Sequence, residues 1–301
     1  MTKILLTGGT GFLGRNVAWR LVEEGHEVHN LERPGSDRSA LLSRENGQHV
    51  NSVAMAADFS GLYETVRALM PDVCINLAAT VVANEREDGI RQMIDANLLM
   101  PSLIARALLD LGHGTIITCG SSWQTAGGHG GYVPFDFYAG TKQALEDLLK
   151  AYVVQGLPAI ALRLYDNYGP HDTRRKIVDL IFDCAITGRP LAMSPGEQDI
   201  DLVHVEDAAH AVVMAAERAA GLARGQFETY GVSSGQPHRL KDIAALISDI
   251  AGRPAPIDWG GRPYREREIM KPYNGFAPVP GWAPRITLEA GLKDVWAAKP
   301  K

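Results

Sequence analysis

Tyr138 and Lys142 stand four residues apart in Tyr138-Ala139-Gly140-Thr141-Lys142. On a helix that spacing projects both side chains from one face. An ammonium beside a phenol favours the phenolate, which would let the tyrosine serve as a general acid or base near neutral pH. A second chemical signal lies near the start, in Thr7-Gly8-Gly9-Thr10-Gly11-Phe12-Leu13-Gly14. Gly8, Gly11 and Gly14 recur every third residue between an apolar run, Ile4-Leu5-Leu6, and a segment with Phe12, Leu13, Val17 and Leu21 on one helical face. Glycine allows a tight turn and a close backbone approach, and a helix N-terminus offers free N–H groups to phosphates. With a strand before, a helix after and a second strand ending at Glu32, the stretch reads as a dinucleotide site. Glu32 suits a ribose 2′-hydroxyl and favours NAD, whereas Arg33, Ser36 and Arg38 beside it could hold the 2′-phosphate of NADP.

The elements that must position these residues alternate regularly. Strands are predicted at Ile4–Leu6, Glu27–Leu31, Val50–Val53, Val73–Leu77, Thr115–Thr118 and Ala159–Leu164, with long helices over Gly89–Leu111 and Tyr138–Gln155. This is the pattern of an α/β protein with a doubly wound parallel sheet, which binds ligands at the carboxyl ends of its strands. Tyr138 and Lys142 then open the helix after the fifth strand. Beyond Leu164 the pattern changes to helices at Lys176–Thr187, Val205–Ala219 and Leu240–Ala251, short strands at Leu202–His204 and Gln226–Tyr230, and a closing helix over Thr287–Ala297. Residues 1–164 read as the dinucleotide-binding domain. Residues 165–301 read as a smaller mixed α/β substrate lobe, with some elements returning to the main sheet.

Composition narrows the function classes. A hydrophobic fraction of 46% and a charged fraction of 22% are ordinary for a globular chain of 301 residues. The net charge of -5 gives no electrostatic reason to expect nucleic acid, and Arg174-Arg175-Lys176 is the one dense basic cluster. Cys74, Cys119 and Cys184 lie far apart, without the spacing of a disulfide framework or a zinc site, and the histidines form no ligand pair. No apolar run approaches membrane-spanning length. The expectation is a cytoplasmic protein with no metal, membrane or nucleic-acid partner.

The glycine triplet followed by Tyr138 and Lys142 resembles the short-chain dehydrogenase/reductase superfamily, specifically its extended branch of nucleotide-sugar epimerases, dehydratases and reductases, which has a Rossmann fold. Further stretches are similar in the same order. They are Asp58-Phe59 after the third strand, Asn76-Leu77-Ala78-Ala79 at the end of the fourth, Asp95-Ala96-Asn97, Arg163 to Pro170 (as RxxNxYGP) and Gly281-Trp282-Ala283-Pro284. The resemblance implies that Gly8, Gly11, Phe12, Leu13, Gly14, Glu32, Arg33, Arg38, Asp58, Phe59, Leu77, Ala78, Ala79, Asn97, Tyr138 and Lys142 bind or support the cofactor. It also implies a hydroxyl after the fifth strand, in Cys119-Gly120-Ser121-Ser122-Trp123-Gln124. Register favours Ser121, which would orient a C4 oxygen toward Tyr138; a serine there can equally be a turn cap. Thr80, Ser122, Trp123, Gln124 and Asn167 are expected to face the sugar nucleotide, with a core aromatic as the other reading of Trp123. A homodimer through the two long helices is implied as well.

Departures from the family pattern sharpen the reading. Many dehydratases carry two acids where this chain has Ser122-Trp123, so dehydration is disfavoured. Gln198-Asp199-Ile200-Asp201-Leu202 lacks the arginine of the usual QxRDF stretch, leaving Arg267, then Arg175 and Lys176, as candidate phosphate contacts against the alternative of a solvated charged face. Gly127-Gly128-His129-Gly130-Gly131 reads as a lid or as a cluster of turns. The Ser122, Tyr138 and Met193-to-Gln198 stretches are similar to CDP-abequose and CDP-paratose synthase-type enzymes. The implied activity is NAD(P)H-dependent reduction of the C4 ketone of a nucleoside-diphosphate 4-keto-6-deoxyhexose, and a biosynthetic reductase tips the cofactor toward NADP. The alternatives are an NAD-dependent C4 epimerase and a non-catalytic dinucleotide sensor.

Overall fold

The computed structural model describes residues 1–82 and 85–299. Its strands are β1 (Lys3–Thr7), β2 (Glu27–Glu32), β3 (Asn51–Ala54), β4 (Val73–Asn76), β5 (Thr115–Ser121), β6 (Ala159–Leu164) and β7 (Asp166–Tyr168). Six more follow: β8 (Leu191–Met193), β9 (Asp199–Ile200), β10 (Leu202–His204), β11 (Phe227–Val232), β12 (His238–Arg239) and β13 (Ile257–Trp259). The helices are α1 (Phe12–Glu23), α2 (Glu45–Gln48), α3 (Leu62–Leu69), α4 (Glu87–Ile94), α5 (Met100–Leu111) and α6 (Phe137–Val153). Then come α7 (Ile177–Thr187), α8 (Val205–Ala219), α9 (Leu240–Ala251) and α10 (Leu288–Ala297).

Apolar runs such as Ile4-Leu5-Leu6 and Val73 to Ile75 are buried on both faces, as parallel strands covered by helices require. Seven strands pair in parallel in the order β11-β6-β5-β4-β1-β2-β3. The order reverses between β1 and β4, which opens a crevice at their carboxyl ends. On one face α1 and α8 pack through Val17, Ala18 and Leu21 against Ala208, Ala211 and Ala215, small side chains that allow close approach. On the other, α3, α5 and α6 cover the sheet through Val66, Ile104 and Leu145. A third core built from α7, α9 and α10, with Phe182, Ile243 and Leu292, forms beside the carboxyl ends. Among the described residues no helix is long and apolar enough to cross a membrane.

The elements depart from the sequence expectations in two instructive places. β5 runs on to Ser121 because Cys119, Gly120 and Ser121 stay paired with Leu162, Arg163 and Leu164 of β6. The helix expected over Gly89–Leu111 is α4 and α5 joined by a π-helical segment, Asp95–Leu99. Pro101 has no N–H for the carbonyl of Asn97 four residues back, and its ring crowds that carbonyl, so the helix widens there.

Candidate functional site

At the carboxyl end of β1, Thr7 Oγ1 donates to Asn76 Oδ1 (2.8 Å) and accepts the N–H of Ala78 (3.1 Å), tying the ends of β1 and β4 together. Leu77, Ala78 and Ala79 follow as an irregular segment along the crevice. Gly8 turns the chain at φ +74°, and a Cβ on Gly14 would lie 2.0 Å from the Gly8 carbonyl oxygen. Gly11 is the N-cap of α1 and supplies no side-chain cap. The first N–H groups of α1, at Phe12 and Leu13, therefore remain free for an anion, and this cradle fits a dinucleotide pyrophosphate.

The spacing argument missed Gly9 and Asn30. Gly9 N–H donates to Asn30 Oδ1 (2.9 Å), and Asn30 Nδ2 donates to Glu32 Oε1 (2.9 Å), so the glycine turn is tied to the end of β2. A buried polar residue in mid-strand was the available signal. Glu32 is further engaged by Arg38 Nε (3.2 Å) and Ser52 Oγ (2.6 Å). Arg38 also donates to the Val50 carbonyl (2.9 Å), so it stands as the counter-ion of Glu32 rather than as a free phosphate ligand. Arg33 is exposed beside it. Asp58 is exposed and accepts the N–H of Ser60 (3.0 Å); the Ser60 hydroxyl and then this N–H hold its carboxyl below the usual range, while Phe59 is buried at φ +62°.

Asn97 is expected to bind or support the cofactor site, and its amide is engaged in the second way. Its Oδ1 accepts the Thr80 N–H (2.8 Å), and its Nδ2 donates to the Thr80 carbonyl (2.9 Å) and to Thr141 Oγ1 (3.0 Å). Asn97 thus fixes the backbone of Thr80 and anchors α6. Asp136 caps α6 by accepting the Ala139 N–H (2.8 Å), which places Tyr138 in the first turn. Lys142 Nζ lies 5.7 Å from the centre of the Tyr138 ring. Burial works against the expected phenolate. Burial raises the Tyr138 phenol above its usual range, reinforced by Cys119, Asp136 and Asp166, and burial lowers Lys142 to about 8 against the pull of Cys119 and Glu146. Burial is the first cause of both shifts, and it favours the neutral phenol.

Ser121 ends β5 and caps the following turn: its Oγ accepts the N–H of Trp123 (3.2 Å), leaving its own proton to donate. The capping and catalytic readings of Ser121 are therefore compatible. Gln124 does not face the sugar. It is fully buried, with its Oε1 on the Ser121 N–H (2.8 Å) and its Nε2 on Gln143 and Glu146.

A cavity of about 590 Å³ opens beside this turn. Ser122, Trp123, Asn167, Arg175 and Lys176 all line it, with Trp123 tilted against Phe135 at 4.9 Å between ring centres. Asn167 Oδ1 is buried with no partner among the described residues. Two site assignments change. Arg267 does not line the cavity, whereas Arg265 and Arg262 do, a difference of loop direction that spacing does not encode. Counting three residues beyond Arg163, the asparagine of the RxxNxYGP motif is replaced by Asp166, which also lines the cavity. Burial raises the Asp166 carboxyl, opposed by Lys176, Arg174 and Arg265 and reinforced by Asp201. None of Arg175, Lys176, Arg262 and Arg265 forms an ion pair within the described residues, so the wall offers uncommitted cations.

With the glycine cradle, the Tyr138–Lys142 pair and this cavity at the carboxyl ends of one sheet, the chain belongs to the NAD dependent epimerase/dehydratase family, whose profile matches residues 4–253. It is an enzyme of oxidoreductase type in the extended short-chain dehydrogenase/reductase branch. Among curated relatives it is similar to the CDP-abequose synthase of Yersinia pseudotuberculosis, with 29% identity over 90% of this chain and 91% of that one. It is also similar to a probable UDP-glucuronate 4-epimerase of Rhizobium meliloti (strain 1021), with 25% identity over 96% and 94%. The fold is that of the UDP-glucose 4-epimerase of Thermotoga maritima solved with UDP-glucose, with a TM-score of 0.83 at 20% identity over 98% and 97% of the two chains.

Proposed function

We propose that the protein reduces the C4 ketone of a nucleoside-diphosphate 4-keto-6-deoxyhexose. The observation that supports this reading best is the Tyr138 phenol, which burial holds above its usual range, together with Ser122 and Trp123 at the cavity where many dehydratases carry two acids. A protonated phenol can give its proton to an oxygen that gains negative charge, whereas elimination of water needs the acid and base that Ser122 and Trp123 lack. Similarity to CDP-abequose synthase points the same way.

In this reading the bound nicotinamide dinucleotide supplies hydride chemistry. Gly8, Gly11, Gly14 and the N–H groups of Phe12 and Leu13 hold its pyrophosphate, Glu32 and Asp58 face its adenosine end, and Lys142 holds the ribose near the reacting ring. Ser121 donates to the C4 oxygen and Tyr138 protonates it. Arg265, Lys176 and Arg175 take the diphosphate through charge-assisted hydrogen bonds, and Trp123 and Asn167 contact the sugar. NADP is the preferred form, because Arg38 already neutralises Glu32 and leaves Arg33 free for a 2′-phosphate. The protein would act as a cytoplasmic homodimer through α4, α5 and α6, covering the partly exposed Ile94, Leu99 and Leu148. The test is reduction with NADPH carrying deuterium at both C4 positions of the nicotinamide, followed by NMR of the sugar: deuterium at C4 of the product supports the reading, and unlabelled product refutes it.

A further inference from the structure

The turn that presents Ser121 is held from behind by a polar cluster none of whose members lines the cavity. The Ser121 N–H donates to Gln124 Oε1 (2.8 Å), and Gln124 Nε2 donates to Glu146 Oε1 (3.2 Å) and Gln143 Oε1 (3.0 Å). Arg163 of β6 grips Glu146 of α6 at both carboxylate oxygens, each at 2.7 Å, and donates to Gln143 Oε1 (3.2 Å). Gln124, Glu146 and Arg163 are all buried. The cluster needs Gly120, where a Cβ would lie 2.5 Å from Gln124 Oε1 and 2.9 Å from Glu146 Oε1. Four segments (the end of β5, the turn after it, α6 and β6) thus meet on one carboxylate.

A buried ion pair is a poor device for stability, since well-packed apolar side chains of similar volume hold elements together at least as well. It does, however, fix geometry: the short, paired contacts leave the Gln124 amide one orientation, and that amide sets the Ser121 backbone. We propose that Glu146 is a positioning residue, which through Gln124 fixes the turn on which the Ser121 hydroxyl stands, with Arg163 holding Glu146 in place. The role of Ser121 as the hydroxyl that orients the substrate oxygen rests on the function proposed above.

The cluster is also proton-linked. Burial pushes the Glu146 carboxyl up to about 7, opposed by Arg163 on β6 and by Lys150 and Lys142 on its own helix, and reinforced by Asp147. A proton gained below that point weakens the Glu146–Arg163 pair and loosens the turn. The effect reaches Trp123, whose N–H is bonded to Ser121 Oγ.

The test compares the full-length protein with Glu146→Gln and with the double variant Glu146→Leu/Arg163→Leu. The single change strands the Arg163 charge and risks unfolding; the double removes both charges. Folding is checked by circular dichroism, and NADPH affinity by nicotinamide fluorescence. The Trp123 environment is read by 19F NMR of protein carrying 5-fluorotryptophan, assigned with Trp123→Phe. In the double variant NADPH affinity and KM stay within about threefold while kcat falls about tenfold or more, the signature of a misplaced catalytic group. In the wild type the Trp123 resonance and kcat both titrate near pH 7; in the double variant neither does. Wild-type kcat in a folded double variant, or a loss of kcat matched by an equal loss of NADPH affinity, would overturn the proposal. A wild type that titrates at Trp123 yet turns over no 4-keto sugar removes the proposed function and leaves the positioning role standing.

Discussion

Replacing Lys142 by methionine should make the ligand-free protein more stable while disabling it. Lys142 is 3% exposed, and burial lowers its ammonium from 10.5 to about 8. A base whose folded value lies below its unfolded one imposes no penalty above the unfolded value, and the full penalty once pH has fallen through the folded one. At about 1.4 kcal/mol per pH unit, the drop corresponds to a penalty of up to about 3 kcal/mol below pH 8, fading as pH rises toward 10.5. Methionine matches the lysine stem in length and carries no charge, so most of that penalty should be relieved at pH 7. For a chain of this size about 3 kcal/mol corresponds to a rise in Tm of roughly 6 °C at most. The assay is thermal melting of the ligand-free wild type and K142M at several pH values between 7 and 10, alongside turnover. The gain should be largest at pH 7 and shrink with rising pH, while kcat falls by about two orders of magnitude or more. A lower Tm for K142M at pH 7, or a gain that grows with pH, would show that burial does not hold the lysine as described.

Tyr138→Phe should lower kcat by about 10²- to 10⁴-fold while dinucleotide affinity, read by fluorescence, stays nearly unchanged; an unchanged kcat would show that Tyr138 is not the proton donor. Arg265→Ala should raise KM for the sugar nucleotide by about tenfold or more through loss of a charge-assisted contact, and Arg267→Ala should leave steady-state kinetics as they were. Arg33→Ala should raise KM for NADPH about tenfold with that for NADH unchanged; equal effects on both cofactors would count against a 2′-phosphate contact at Arg33.

The fold was largely legible because its signals are local. Apolar runs, glycine turns and 3.6-residue periodicity locate β1, β4 and α6 within a residue or two. The glycine cradle was readable for the same reason: Gly8 and Gly14 are required by their own turn. What the sequence hid depends on which way a loop or side chain faces. Gln124 and Trp123 are adjacent, yet one is consumed behind the turn and the other lines the cavity. Arg265 and Arg267 differ only in the direction their loop gives them. Lys142 beside Tyr138 is visible in the spacing, whereas the burial that raises the Tyr138 phenol is not. Glu146 and Arg163 lie 17 residues apart, and nothing local marks them as partners.

The most direct measurement is oxidation of NADPH and NADH, followed at 340 nm, with a panel of CDP-, dTDP-, GDP- and UDP-4-keto-6-deoxyhexoses. A C4 reductase consumes reduced cofactor stoichiometrically with one member of the panel, and NADPH faster than NADH. No consumption with any member, together with NAD+ retained in the purified protein, would contradict the reductase and indicate a C4 epimerase.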